Sequence, residues 1–278
     1  MKKILSIALI AACFVQSNAQ IKTPAPSPFS TVSQSFGIID SKIEYSRPSA
    51  RGRKIFGDVV PFDKIWRTGA NGATKITFSD SVMIGDKKIG GGTYGLFTIP
   101  STTEWTIIIS KSTSLWGAEG YDASNDVVRF KSKPFALTMP VETFTIDYAN
   151  ITRTSSDIML SWENTAVKFT VSTDPDKKIM AQIKNAMDGN DWMWAAANYY
   201  HDNDKDMKQA LEWVNKVIEK DKDPQFWRVH VKAKILKKMG DCKGASEVAQ
   251  KSKDLAIAAK NDDYVKLNDK LLAECKGK

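Results

Sequence analysis
The chain has 278 residues, 42% hydrophobic and 26% charged. That composition belongs to a globular protein of one large domain or two ordinary ones and excludes a disordered polyelectrolyte. Lys and Arg exceed Asp and Glu by 40 to 32, and no apolar run reaches the ~18 residues of a membrane span, so no transmembrane helix is expected.

The first residues read as a targeting signal. Met1-Lys2-Lys3 is a positive start, Ile4 to Val15 is an apolar run, and Ser17-Asn18-Ala19 sets small residues where signal peptidase cuts. Residues 1–19 are therefore taken as a signal peptide, cleaved before Gln20. Ile10-Ala11-Ala12-Cys13 offers a rival lipoprotein site, but the apolar run continues through Phe14 and Val15. Either route exports the protein, to the periplasm or beyond, where nucleic acid is not an expected partner.

Residues 20–29, with Pro24, Pro26 and Pro28, read as an extended lead-in. Residues 30–173 are short, alternating and β-branched. Lys42 to Ser46 and Thr74 to Phe78 alternate; Val82-Met83-Ile84 and Lys88-Ile89 flank a Gly85-Asp86 turn. Tyr94 to Ile99 and Trp105 to Ser110 flank Pro100 to Glu104, a hairpin signal. Val127 to Phe130 follows, and Glu142 to Tyr148, Asp157 to Trp162 and Val167 to Ser172 suggest a three-strand meander. About nine strands predict an all-β sandwich or barrel.

At Asp174-Pro175 the pattern changes: an acidic cap precedes a proline suited to a first helical turn. Residues 174–278 carry apolar residues at helical spacing, as in Ala210, Val214, Val217 and Ile218. A shift of 35 residues places Trp192 on Trp227, Asp206 on Asp241 and Ala210 on Ala245. A period near 34 marks helical hairpins, and this half resembles tetratricopeptide repeats, which implies a groove for an envelope protein partner. The resemblance is partial, because Asn203-Asp204-Lys205 lacks the turn glycine found at Gly240.

The chemistry is sparse. His201 and His230 both lie in the helical half, where packing or surface roles are the ordinary ones. The β half has no His and, after cleavage, no Cys, so it holds no Ser-His-Asp or Cys-His set and no His/Cys zinc site by itself. Gly90-Gly91-Gly92-Thr93 lacks the Lys-Ser/Thr ending of a phosphate loop and reads as a turn. Fourteen carboxylates leave a glycan-directed envelope hydrolase open as the alternative reading, with no two marked as a pair. No metal or cofactor is expected. Cys242 and Cys275 are the mature chain's two cysteines. Cys242 opens a helix and Cys275 closes the next, running back, so their ends differ by only ~4–5 Å along the axes and a disulfide is expected.

One segment stands out. Arg47, Arg51, Arg53 and Arg67 cluster in a chain that otherwise favours Lys. Arg presents a planar fork of donors. Either these arginines clamp loops onto carbonyls, or Arg47, Arg53, Arg67 and Asn71 form a site for a small anionic or glycan ligand, with Trp66, Trp116 or Tyr121 as a stacking face.

Tyr45-Ser46-Arg47-Pro48, Gly52 to Gly57 (Gly-Arg-Lys-Ile-Phe-Gly) and Val60 to Asn71 (ending Trp-Arg-Thr-Gly-Ala-Asn) resemble an exported bacterial family, domain of unknown function 2911, common in Bacteroidetes. Gly91 to Pro100, Glu104 to Ile108 and Trp116 to Asp122 are also similar to it. The resemblance covers about residues 28–172; Gly72 stands where Glu is more usual. It implies an exported domain and supplies no catalytic residues. The sequence as a whole therefore predicts an exported, non-enzymatic binding or scaffold protein of two domains, 30–173 and 174–278.

Overall fold
The computed structural model describes residues 23–186 and 192–276. The expected signal peptide and the start of the lead-in lie outside them. The chain divides into two compact units, residues 1–175 and 176–278.

The first unit holds ten strands among the described residues: β1 (Phe29–Phe36), β2 (Ile39–Ser46), β3 (Ala70–Phe78), β4 (Val82–Ile84), β5 (Lys87–Ile89), β6 (Gly92–Ile99), β7 (Trp105–Ser110), β8 (Asp126–Ser132), β9 (Phe135–Ala149) and β10 (Ser155–Ser172). They form two antiparallel sheets, ordered β1-β2-β3-β6-β7-β8 and β5-β4-β10-β9. Both sheets are open, so the barrel alternative is not formed. Ile43, Ile76, Leu96 and Ile107 from the first sheet share one core with Phe144, Ile146, Ile158 and Leu160 from the second. At one end of that core Trp66 stacks on Trp162, with ring centroids 6.0 Å apart, and Phe56 and Phe144 pack around the pair.

Two departures from the expected pattern have clear causes. The meander is a two-strand ribbon: Asp157 to Ser172 is one strand with register shifts around Glu163. Glu163 adopts φ +50°, and its carboxylate accepts the Ile55 amide at 3.0 Å. That long-range bond holds the bulge, which re-aims the strand without ending it. Strand β7 is buried along its whole length, because Ile107 and Ile109 face the main core while Ile108 joins a second cluster with Ala73 and Phe97. A continuous apolar run is the sequence mark of a strand covered on both faces.

The second unit contains α1 (Asp176–Asn185), α2 (Trp192–Asp202), α3 (Met207–Lys220), α4 (Phe226–Lys238), α5 (Cys242–Ala258) and α6 (Asp262–Lys276). From α2 to α6 each helix packs on the next, and α4 also touches α2 and α6. Short loops between them make neighbours antiparallel. Asp206 caps α3 through the Lys208 and Gln209 amides, and Asp241 caps α5 through the Gly244 amide. Ala210 and Ala245, four residues after each cap, are fully buried. Among the described residues, no helix is long and apolar enough to cross a membrane.

Candidate functional site
The arginine cluster separates into two kinds. Arg47 donates from Nε to the Phe144 carbonyl at 3.0 Å and from Nη2 to Thr145 Oγ1 at 2.7 Å. Arg53 donates to the Ala50 and Ser49 carbonyls at 3.0 and 2.9 Å. These two are loop clamps, and their forks are already occupied. Trp66 is corrected as well: it is 8% exposed, and its indole donates to the Gly69 carbonyl at 3.1 Å. It belongs to the core and offers no stacking face.

Arg67 differs. The preceding residue is pinned to β6, with the Trp66 amide donating to the Thr98 carbonyl at 2.8 Å and the Thr98 amide returning a bond at 2.9 Å. The chain then turns sharply: Thr68, Gly69 and Asn71 have φ of 57°, 153° and 58°. For a β-branched threonine that conformation is an outlier, held here by the surrounding bonds. The Asn71 amide donates to Ser46 Oγ at 3.1 Å, tying the turn to β2. The half-buried Arg67 side chain makes no hydrogen bond or ion pair among the described residues, and its Nε is buried without an acceptor. Burial lowers its pKa from the ordinary arginine value.

The segment between β7 and β8 completes the patch. The Ala73 amide donates to the Leu115 carbonyl at 2.9 Å and the Gly117 amide to the Asn71 carbonyl at 3.2 Å. Leu115 and Tyr121 pack on Phe97, Ile108 and Ala73. Gly95 permits the approach, since a Cβ there would stand 2.1 Å from the Ser112 carbonyl oxygen. Gly117 adopts φ +92°, a conformation that favours glycine, and its backbone passes close to Arg67 Nη1, which a Cβ there would touch at 3.8 Å. Trp116, next to it, is 77% exposed. An unpartnered guanidinium thus lies near Gly117, in the segment that also carries the exposed Trp116.

Tyr121 is in the same segment, but its hydroxyl is engaged. It donates to the Asp126 carboxylate at 2.7 Å and accepts from Arg129 Nη2 at 2.7 Å. Burial, then the Asp126 carboxylate, push its pKa up to about 12. Sequence reasoning missed Gly117, Asp126 and Arg129. The Asp126–Arg129 spacing was a readable signal; the role of Gly117 needed the fold.

Elsewhere, Cys242 and Cys275 are free thiols, without the bridge expected between them. They pack in one apolar cluster, and burial, then the neighbouring Cys242, push the Cys275 thiol up. Among the described residues, no three His, Cys, Asp or Glu side chains gather as metal ligands.

The family described as a protein of unknown function, DUF2911, matches residues 27–171, more than half of the chain, and the chain belongs to it. No curated protein and no solved structure gives a significant match.

Proposed function
We propose that this member of the DUF2911 family is an exported binding protein whose β unit takes an anionic sugar at Arg67 and Trp116. The observation that carries the reading is the Arg67 guanidinium, half-buried and unpartnered, against the segment at Gly117 whose neighbour Trp116 is 77% exposed. Nε is buried without an acceptor, while the Nη donors have none among the described residues and stay accessible, free to give a ligand carboxylate or sulfate two parallel bonds. The indole supplies a flat face for a sugar ring. Export rests on the basic, apolar and small-residue sequence of residues 1–19.

The helical unit is read as tetratricopeptide-like and as the place for a protein partner. Two helix pairs support this, with caps at Asp206 and Asp241 and buried alanines at Ala210 and Ala245, both spaced by the same 35 residues as in the sequence repeat.

The test is titration of the chain with uronate oligosaccharides, followed by tryptophan fluorescence, with neutral oligosaccharides as control. Saturable quenching is expected for the acidic sugars, and Arg67→Ala and Trp116→Ala should each abolish it while the fold stays intact. Quenching that survives both substitutions would overturn the reading.

A further inference from the structure
A second site lies in the helical unit and does not depend on the Arg67 patch. Helices α2, α4 and α6 border a cavity of about 340 Å³, at the small end of the range for ligand pockets. Helix α4 contributes Lys234, Lys237 and Lys238, and α6 contributes Lys270, against one carboxylate, Glu274. Lys237 pairs with Glu274. Lys238 is held by Asp204 at 2.7 Å and by the His201 carbonyl. Lys234, half-buried, makes no hydrogen bond or ion pair among the described residues, and Lys270, exposed, makes none either but lies close enough to Glu274 to join Lys237 in lowering its carboxyl pKa.

Two histidines line the same cavity, His201 at 6% and His230 at 8% exposure. A buried network fixes the second. His230 Nδ1 lies 2.8 Å from Asn268 Oδ1. The Asn268 amide donates to Ser252 Oγ at 2.9 Å and to the Tyr264 carbonyl at 2.7 Å, and Ser252 donates to the Phe226 carbonyl at 2.8 Å. Asn268 therefore presents its oxygen to the imidazole, and the neutral ring carries its proton on Nδ1. Nε2 keeps a lone pair and has no protein partner among the described residues. Packing alone needs neither this network nor the half-buried, unpaired Lys234 ammonium beside it, since apolar side chains fill space without the desolvation cost. Leu267 and Leu271 complete the lining.

We propose that this cavity binds a small amphipathic anion, with its phosphate or carboxylate head on Lys234, Lys270 and His230 and a short hydrocarbon body against Leu267 and Leu271. The binding is linked to protons. His230 faces Lys234 on its own helix and Asn268 and Tyr264 on α6, with Ser252 of α5 bonded to the Asn268 amide. His201 faces Asp202 on its own helix, Asp204 in the loop after it, and Lys234 and Lys238 on α4. Burial first, with Lys234 adding to it, lowers both imidazole pKa values from the ordinary one, so the empty site holds neutral rings at pH 7. A bound anion favours the protonated ring, so binding of an anion whose own charge is constant, such as a carboxylate, takes up a proton and strengthens as pH falls toward the pKa of the bound ring, while a phosphate head gains a proton itself at about pH 6.

Calorimetric titration of the full chain at low salt tests this, with hexyl phosphate, hexanoate, inorganic phosphate and hexanol as probes. Expected are saturable binding of a hexyl-bearing anion, proton uptake from the buffer, and no binding of hexanol. Lys234→Ala with Lys270→Ala should weaken binding by about tenfold or more at an unchanged melting temperature. His230→Gln should remove most of the pH dependence, and Arg67→Ala should change nothing. Tighter hexyl phosphate assigns a phosphate head and tighter hexanoate a carboxylate head; either supports the site. The proposal is overturned if neither hexyl anion binds at pH 6, if the double variant binds as well as the parent, or if inorganic phosphate or hexanol binds as tightly as the tighter of the two hexyl anions.

Discussion

Arg47 and Arg67 are 20 positions apart in the sequence and alike on paper, yet they should respond in opposite ways to substitution. Arg47 satisfies the Phe144 carbonyl and Thr145, so Arg47→Ala leaves buried acceptors unpaired and should cost ~1–3 kcal/mol in thermal or denaturant unfolding. Arg67 satisfies no acceptor, so Arg67→Met should leave the melting temperature unchanged or raise it. A stability loss as large as that of Arg47→Ala would make Arg67 a clamp too. Asp157 gives a pH test at the same scale. Burial pushes its carboxyl up, but bonds from Lys168, Thr170 and Asn150, at 2.8, 2.6 and 2.8 Å, together outweigh it, and its pKa ends below the ordinary value. A depressed folded pKa contributes stability above the unfolded value of about 4, which is lost as pH falls through the folded one. Asp157→Asn should therefore be less stable than the parent at pH 7, and the gap should close below about pH 4. Melting curves across that range decide it.

At the scale of elements, contacts distant along the chain override local pattern. Periodicity reads the faces of a strand, but Glu163 interrupts β10 only because a distant amide, Ile55, occupies its carboxylate; nothing near residue 163 carries that information. Gly95 sits inside β6, where the chain after β7 crosses close above it. Gly95→Ala should force that crossing apart, cost ~1–3 kcal/mol, and loosen the segment carrying Trp116. Unfolding curves measure the cost, and altered Trp116 emission reports the displacement. Between α5 and α6, Cys242 and Cys275 pack in one apolar cluster. Oxidised glutathione should join them by thiol–disulfide exchange, releasing two molecules of reduced glutathione, and mass spectrometry should find the chain two hydrogens lighter. Two thiols that remain alkylatable would count against it.

At the scale of the whole molecule, the β unit has its own core, with both sheets facing into it. Residues 20–173 alone should therefore give a sheet-type circular dichroism spectrum and a cooperative melt; a spectrum without sheet would contradict this. The sequence by itself determined the family, through unbroken stretches such as Trp66 to Asn71. It also determined the passage from strands, ending at Ser172, to helices, starting at Asp176, and the matching helix caps at Asp206 and Asp241. Alternation, helical spacing and capping are set by residues within a few positions of one another, so they are written locally. Tertiary structure alone decided which arginine is free, why Trp66 is buried while Trp116 is not, and that two histidines and the lysines of α4 and α6 share one cavity. Each depends on partners up to about a hundred residues away, such as Phe144 for Arg47 or Asn268 for His230. Hydrogen bonding and burial are satisfied in three dimensions, and the spacing of residues along the chain does not record them.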